Sequence, residues 1–370
     1  MIKKIRDTVN VIGAVLMLYV QMLLYSVKLG TIVKYATKAI PFIAIFCFIW
    51  GIVQFFMDKK INVWSILFGV SIILSQVYGK SFGQFAMGLG FMTFIKDMDR
   101  EKVFKIMFYT ILSYMFIGIV LSATHTIDFY DKSDVRGNYL CLSFDSKHMF
   151  AACFTLLIMS VSYTYIKENY LYTSIAIMAS IAAIFYMTHA KAIVAAVFLF
   201  PFVYYFLDRF EWSRKYVKFL PIVIFIVCVV LTCTLEYGEP LRTFKMRFVF
   251  PKMIYQKYGL KLFGYEQDLS VLTYKTIGNY FDNSYLYLPF QYGILSIPMF
   301  LLHIFGIKKN EDDVFMLSYL VIWHLISVMI PFLQNLIMFW PLYQLFDWLT
   351  LDNIKLFFNK FKKGKVENAV

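Results

Sequence analysis

Two arginines five residues apart, Arg242 and Arg247 in LRTFKMR, sit near the start of the stretch 236–283, the one long polar interruption in the second half of an otherwise apolar chain. A guanidinium presents its N–H donors in a planar fork that matches phosphate oxygens two at a time. A pair of such cations converging on a diphosphate would neutralise the charge that builds on it as it leaves. Five positions on an amphipathic helix do not place them on quite the same face, and a solvated loop arginine is the plainer alternative. The same stretch ends in FDNSYLYLPFQYG, where Asp282 and Asn283 stand beside Tyr285 as the chain turns apolar again. A partly desolvated carboxylate there could take a proton from an attacking hydroxyl within hydrogen-bond reach. Asp-Asn-Ser is also a good helix N-cap, and the two roles are compatible.

A third cation, Lys191 in THAKAIVAAVFLF, begins an apolar run. It either snorkels to the membrane surface or faces the bundle interior and binds an anion. Arg136 follows Asp128, Asp131 and Asp134 in a second polar stretch, 123–148. His303 and His324 fall inside apolar runs and read as packed or helix-bonded, whereas His148 opens one.

The elements that must position these residues are membrane helices. The 370 residues are 60% hydrophobic and 16% charged, against about 25% charged in an ordinary soluble domain. Apolar runs of roughly 17 to 22 residues recur along the whole chain, long enough to cross a bilayer core of about 30 Å. The expected spans are 10–27, 40–57, 61–79, 81–95, 104–122, 149–166, 171–188, 191–207, 217–235, 284–306, 314–330 and 332–349. These make an all-α bundle of about 12 spans forming one membrane domain over 1–370, with a large, partly helical outer loop at 236–283. Gly79, Gly83, Gly88 and Gly90 in and around the short fourth span would allow close helix packing, and a re-entrant segment is the alternative there.

The net charge of +13 comes from Lys and Arg clustered at the ends of apolar runs, which marks topology and argues against a nucleic-acid partner. Lys3, Lys4, Lys59, Lys60, Arg100, Lys102, Arg214, Lys218, Lys308 and Lys309 all fall on one side, as does the basic tail, so both termini are expected in the cytoplasm. Lys34 and Lys38 depart from that pattern. The first span resembles a signal peptide but carries Gln21, Tyr25 and Lys28 where small residues would mark a cleavage site, and it is read as retained. Five cysteines show neither paired spacing nor a metal-ligand pattern. No GxxxxGK[ST], HExxH or GxSxG motif is present, so ATP-driven pumping, zinc proteolysis and serine hydrolysis have no support. Both long polar loops then face outward, away from cytoplasmic nucleotides, and a substrate must arrive already activated.

With that plan in place, the chain resembles the bacterial O-antigen polymerase and O-antigen ligase-like membrane proteins, which include Wzy-type capsule and exopolysaccharide polymerases. The likeness covers most of the chain as an order of spans and loops. It is sharper at RGNYLCLSFDSKH, THAKA, RTFKMRFVFPKMIYQKYGLKLFGYE and DNSYLYLPFQYGIL. The resemblance implies a polymerase that joins undecaprenyl-diphosphate-linked oligosaccharide repeats at the outer face of the cytoplasmic membrane, working with membrane lipid, a chain-length regulator and a flippase. It implies that Lys191 and Arg247 hold the donor diphosphate, although the family often has arginine at the former position. The ligase branch carries a loop histidine that 236–283 lacks, and Asp282 at the matching place points to polymerase. The expectation is therefore a metal-independent glycosyltransferase without a cofactor: Asp282 and Arg247 catalytic, with Lys191, Arg242, Arg136, Asn283 and Tyr285 binding substrate. The rivals are a flippase for the lipid-linked oligosaccharide and a ligase that passes glycan to another acceptor.

Overall fold

The computed structural model describes residues 2–24, 30–58, 61–78, 83–127, 130–131, 139–141, 144, 147–236, 242–265, 283–329 and 337–341. Fifteen helices occupy most of them. Helices α1 (Ile2–Leu24), α2 (Gly30–Asp58), α3 (Val63–Tyr78), α4 (Gly83–Ile95) and α5 (Arg100–Ala123) form the first half. Then come α6 (Lys147–Tyr165), α7 (Tyr170–Thr188), α8 (Lys191–Phe198), α9 (Phe200–Arg209), α10 (Glu211–Arg214) and α11 (Leu220–Thr234). The rest are α12 (Arg242–Tyr258), α13 (Ser284–Tyr292), α14 (Ser296–Lys309) and α15 (Val314–Ser327). Among the described residues the extended structure is one antiparallel pair in the 123–148 stretch, Tyr130 opposite Leu140 and Asp131 opposite Tyr139.

Among the described residues seven helical stretches are long and apolar enough to cross a membrane: Lys3–Leu24, Lys38–Met57, Arg100–Ala123, His148–Tyr165, Tyr170–Thr188, Lys191–Arg209 (α8 and α9) and Glu211–Thr234 (α10 and α11). They coincide with seven of the twelve expected spans. The others differ. Helix α3 has 16 described residues and α4 has 13, and the expected boundary between them, 79–82, lies outside the described residues. The expected span 284–306 is split into α13 and α14 by a 3-10 turn over Gly293–Leu295. Helix α15 has 14 residues. Of 332–349, only 337–341 is described.

What faces outward is apolar. Helix α11 buries Ile224 and Cys228 but exposes Ile222, Val223, Ile226 and Val230, the surface expected of a helix solvated by hydrocarbon.

Buried polar groups fix which helices meet. Trp50 donates to the Asn10 carboxamide at 2.8 Å, Asn62 donates to Gln54 at 2.6 Å and to the Thr93 carbonyl at 3.0 Å, and this network ties α1, α2 and α4 together just ahead of α3. Gly90 lets α4 lie against α1, since a Cβ there would stand 2.3 Å from the Met17 methyl. At the start of α15, Arg100 donates to Asp313 at 2.5 Å and to Asn310 at 2.9 Å, so α5 is clamped to the turn between α14 and α15. Asp313 also caps α15 through the Met316 amide at 3.1 Å.

Candidate functional site

Near the opposite end of α15 lies Arg247, one of the residues singled out in the 236–283 stretch. Helix α12 buries Phe248, Val249, Phe250 and Ile254 and packs along α11. Lys252 donates to the Cys233 carbonyl at 3.3 Å, pinning α12 to the end of α11. Half-buried Arg247 donates from Nε to the Met329 carbonyl at 3.2 Å, just past the end of α15. Proline 251 lies one helical turn further on and has no N–H to give the Arg247 carbonyl, so α12 is loosened where its arginine leaves the helix.

The chain after α12 closes onto the break between α13 and α14. Ile294 donates to the Leu262 carbonyl at 2.8 Å, and Tyr265 to the Phe290 carbonyl at 3.3 Å. The Tyr265 and Phe290 rings stack with an interplanar angle of 7°. Gly264 (φ 73°) and Gly293 (φ 56°) are both left-handed, and a Cβ at either would lie 2.0 or 2.1 Å from a backbone oxygen of the other segment. Only glycine satisfies the two demands together. Tyr265 hydrogen-bonds the Gly259 carbonyl, and burial, followed by the nearby Tyr258, pushes its phenol above the ordinary range.

Asn283 begins α13 as its N-cap, accepting from the Tyr285 amide at 3.0 Å and the Leu286 amide at 3.3 Å. Its side-chain nitrogen donates to the Cys228 sulfur at 3.4 Å, and the residue is 0% exposed. Tyr285 is likewise 0% exposed, and its hydroxyl meets His324 Nδ1 at 2.6 Å. His324 Nε2 in turn lies 3.4 Å from His303 Nδ1, with Phe339 packed against both imidazoles.

The expected site residues thus divide. Arg247 and Tyr285 bond to Met329 and His324, in and just past the second half of α15, while Asn283 caps α13 and bonds Cys228 of α11. Lys191 is exposed at the first turn of α8, and α8 packs on α15 as well. Arg242 heads α12. Arg136 and Asp282 lie outside the described residues. For Asn283 and Tyr285 direct substrate contact is corrected to an internal role here, because both side chains are enclosed and spent on protein partners. His324 and His303, read from sequence as packed or helix-bonded, are buried as expected, and His324 also bonds Tyr285 and His303. A polar ring inside an apolar helix needs a partner, and the buried histidine on the neighbouring helix was the signal available.

Among the described residues no three His, Cys, Asp or Glu side chains gather as a metal site. The arrangement offers one oriented guanidinium, Arg247, at the end of a helix whose buried histidine is hydrogen-bonded to α13. Comparison with protein-family models, curated proteins and solved structures found no match.

Proposed function

We propose that this membrane protein is a glycosyltransferase of the O-antigen polymerase kind, joining undecaprenyl-diphosphate-linked oligosaccharide repeats at the outer face of the bacterial cytoplasmic membrane. The observation that carries the reading is Arg247: it is half-buried, and its Nε donates to the Met329 carbonyl just past the end of α15, the helix on which α8 packs. In the full proposal the chain crosses the membrane about twelve times, with both termini cytoplasmic and the 236–283 stretch outside.

The reaction balances without a redox partner. A hydroxyl oxygen of one repeat attacks the anomeric carbon of the growing chain, and the bond from that carbon to the diphosphate breaks with its electron pair leaving on the diphosphate. Arg247 and Lys191, joined by Arg242 and Arg136, neutralise that charge, while Asp282 accepts the hydroxyl proton and releases it to water. In vesicles given purified lipid-linked repeats, the protein should lengthen them. Arg247→Ala should lower product by about 100-fold or more at normal protein level. Full-length polymer from that variant would remove the arginine from the mechanism.

The split span favours one second reading. A discontinuous helix, here α13 and α14, is a device of transporters. A flippase would move the lipid-linked oligosaccharide across the vesicle membrane without lengthening it, and that result would displace the polymerase.

A further inference from the structure

The Tyr285, His324 and His303 chain has a definite direction. Tyr285 is 0% exposed and its hydroxyl has His324 Nδ1 as hydrogen-bond partner. Were the phenol to accept from Nδ1, its own proton would be buried unpaired, at a cost of about 1–3 kcal/mol. The phenol therefore donates, His324 carries its proton on Nε2, and Nε2 donates to His303 Nδ1. Three side chains on three helices are fixed by this order: α13 donates to α15, and α15 donates to α14.

Tyr285 lies two residues after the Asn283 cap, so its hydroxyl sets the depth and rotation of the first turn of α13. His324 lies five residues before Met329, whose carbonyl orients Arg247. The segment 324–329 thus bonds both Arg247, through the Met329 carbonyl, and α13, through the His324 imidazole.

We propose that Tyr285 and His324 are positioning residues for glycosyl transfer, their hydrogen bond setting the start of α13 against Arg247. This rests on the polymerase reading. The His303 contact, at 3.4 Å, is the weaker arm and serves to hold the His324 tautomer.

The two arms separate by substitution. In His324→Asn the side-chain oxygen falls near the place of Nδ1 and accepts from Tyr285, whereas in His324→Gln the side-chain nitrogen falls near Nε2 and reaches His303. The polarity of the two variants is alike. Measured as lengthening of lipid-linked repeats per folded protein, Tyr285→Phe should lower kcat by about 10- to 100-fold with KM nearly unchanged, the mark of misplaced reacting groups. His324→Asn should stay within about threefold of the unaltered protein, and His324→Gln should fall with Tyr285→Phe. Full turnover by Tyr285→Phe, or equal rates for the two His324 variants, overturns the proposal. If the unaltered protein lengthens nothing, the polymerase reading fails and takes this with it. That is distinct from an active protein indifferent to Tyr285.

Discussion

The two ends of α15 hold an arginine each, and they hold them differently. Arg100 meets a carboxylate and a carboxamide, Asp313 at 2.5 Å and Asn310 at 2.9 Å, with the paired side chains only 22% and 18% exposed. Arg247, roughly 20 Å of helix away, meets a neutral backbone carbonyl. A carboxylate offsets the charge that it positions, whereas a carbonyl contributes a neutral hydrogen bond. The first arrangement clamps helices; in the proposed function the second arginine serves the donor diphosphate.

That contrast breaks most visibly where backbone geometry supports the Arg247 end. Gly264→Ala would place a methyl 2.0 Å from the Gln291 carbonyl at a positive φ. We expect a loss of about 3 kcal/mol or more, enough to deplete folded protein, read as a lowered melting temperature in detergent. A normal melt would mean that the 259–265 segment does not lean on the helix break.

Next in size is the crossing of two alanine variants. Arg100→Ala strands Asp313 in a mostly enclosed place and should cost about 2–3 kcal/mol of stability, with activity per folded molecule unchanged. Arg247→Ala should do the reverse, leaving the melt nearly intact while product disappears. If both variants lose stability and activity in parallel, the two ends are not different in kind.

A smaller effect has a pH sign. Burial raises the Tyr265 phenol above its unfolded value, so the folded state keeps its proton while the unfolded chain gives it up. Stability from this group is full below the ordinary phenol range and is lost as pH rises through the raised one. Tyr265→Phe should cost about 1 kcal/mol at neutral pH through the Gly259 bond and flatten the alkaline limb of the melting curve. An unchanged alkaline limb would show that Tyr265 does not titrate there.

The long helices were legible because their signal is local: seven apolar runs suffice to specify seven membrane-length helices. The Asn283 cap was legible for the same reason, as Asp-Asn-Ser before an apolar run names its own helix start. The split after Tyr292 was not, because it is set by Leu262 and Gly264 pressing on Gly293, some thirty residues away in sequence. Arg100 and Asp313 are 213 positions apart, and no spacing rule reaches that far. Lys191 was left between two readings by its place at a helix start, and its exposure leaves it able to reach a ligand only from the surface side. The Tyr285 and His324 bond joined a residue read as substrate-binding to one read as packing, since pairing across helices is invisible until the helices are placed.

The smallest effect tests the clamp end by contrast with itself. Lys218 and Glu311 stand 3.6 Å apart, near Arg100, with side chains 25% and 29% exposed. At that distance the pair makes no directed hydrogen bond and both side chains are partly exposed, so Glu311→Gln should cost about 0.5 kcal/mol or less. Arg100 and Asp313 are closer, more enclosed and joined by a directed hydrogen bond, so salt reaches them less. At about 1 M salt, where the screening length falls to about 3 Å, the melting difference between Glu311→Gln and the unaltered protein should vanish while that of Arg100→Ala persists. If salt erased both deficits, the Arg100 clamp would be a surface pair like its neighbour, and the contrast between the two ends of α15 would lose its structural half.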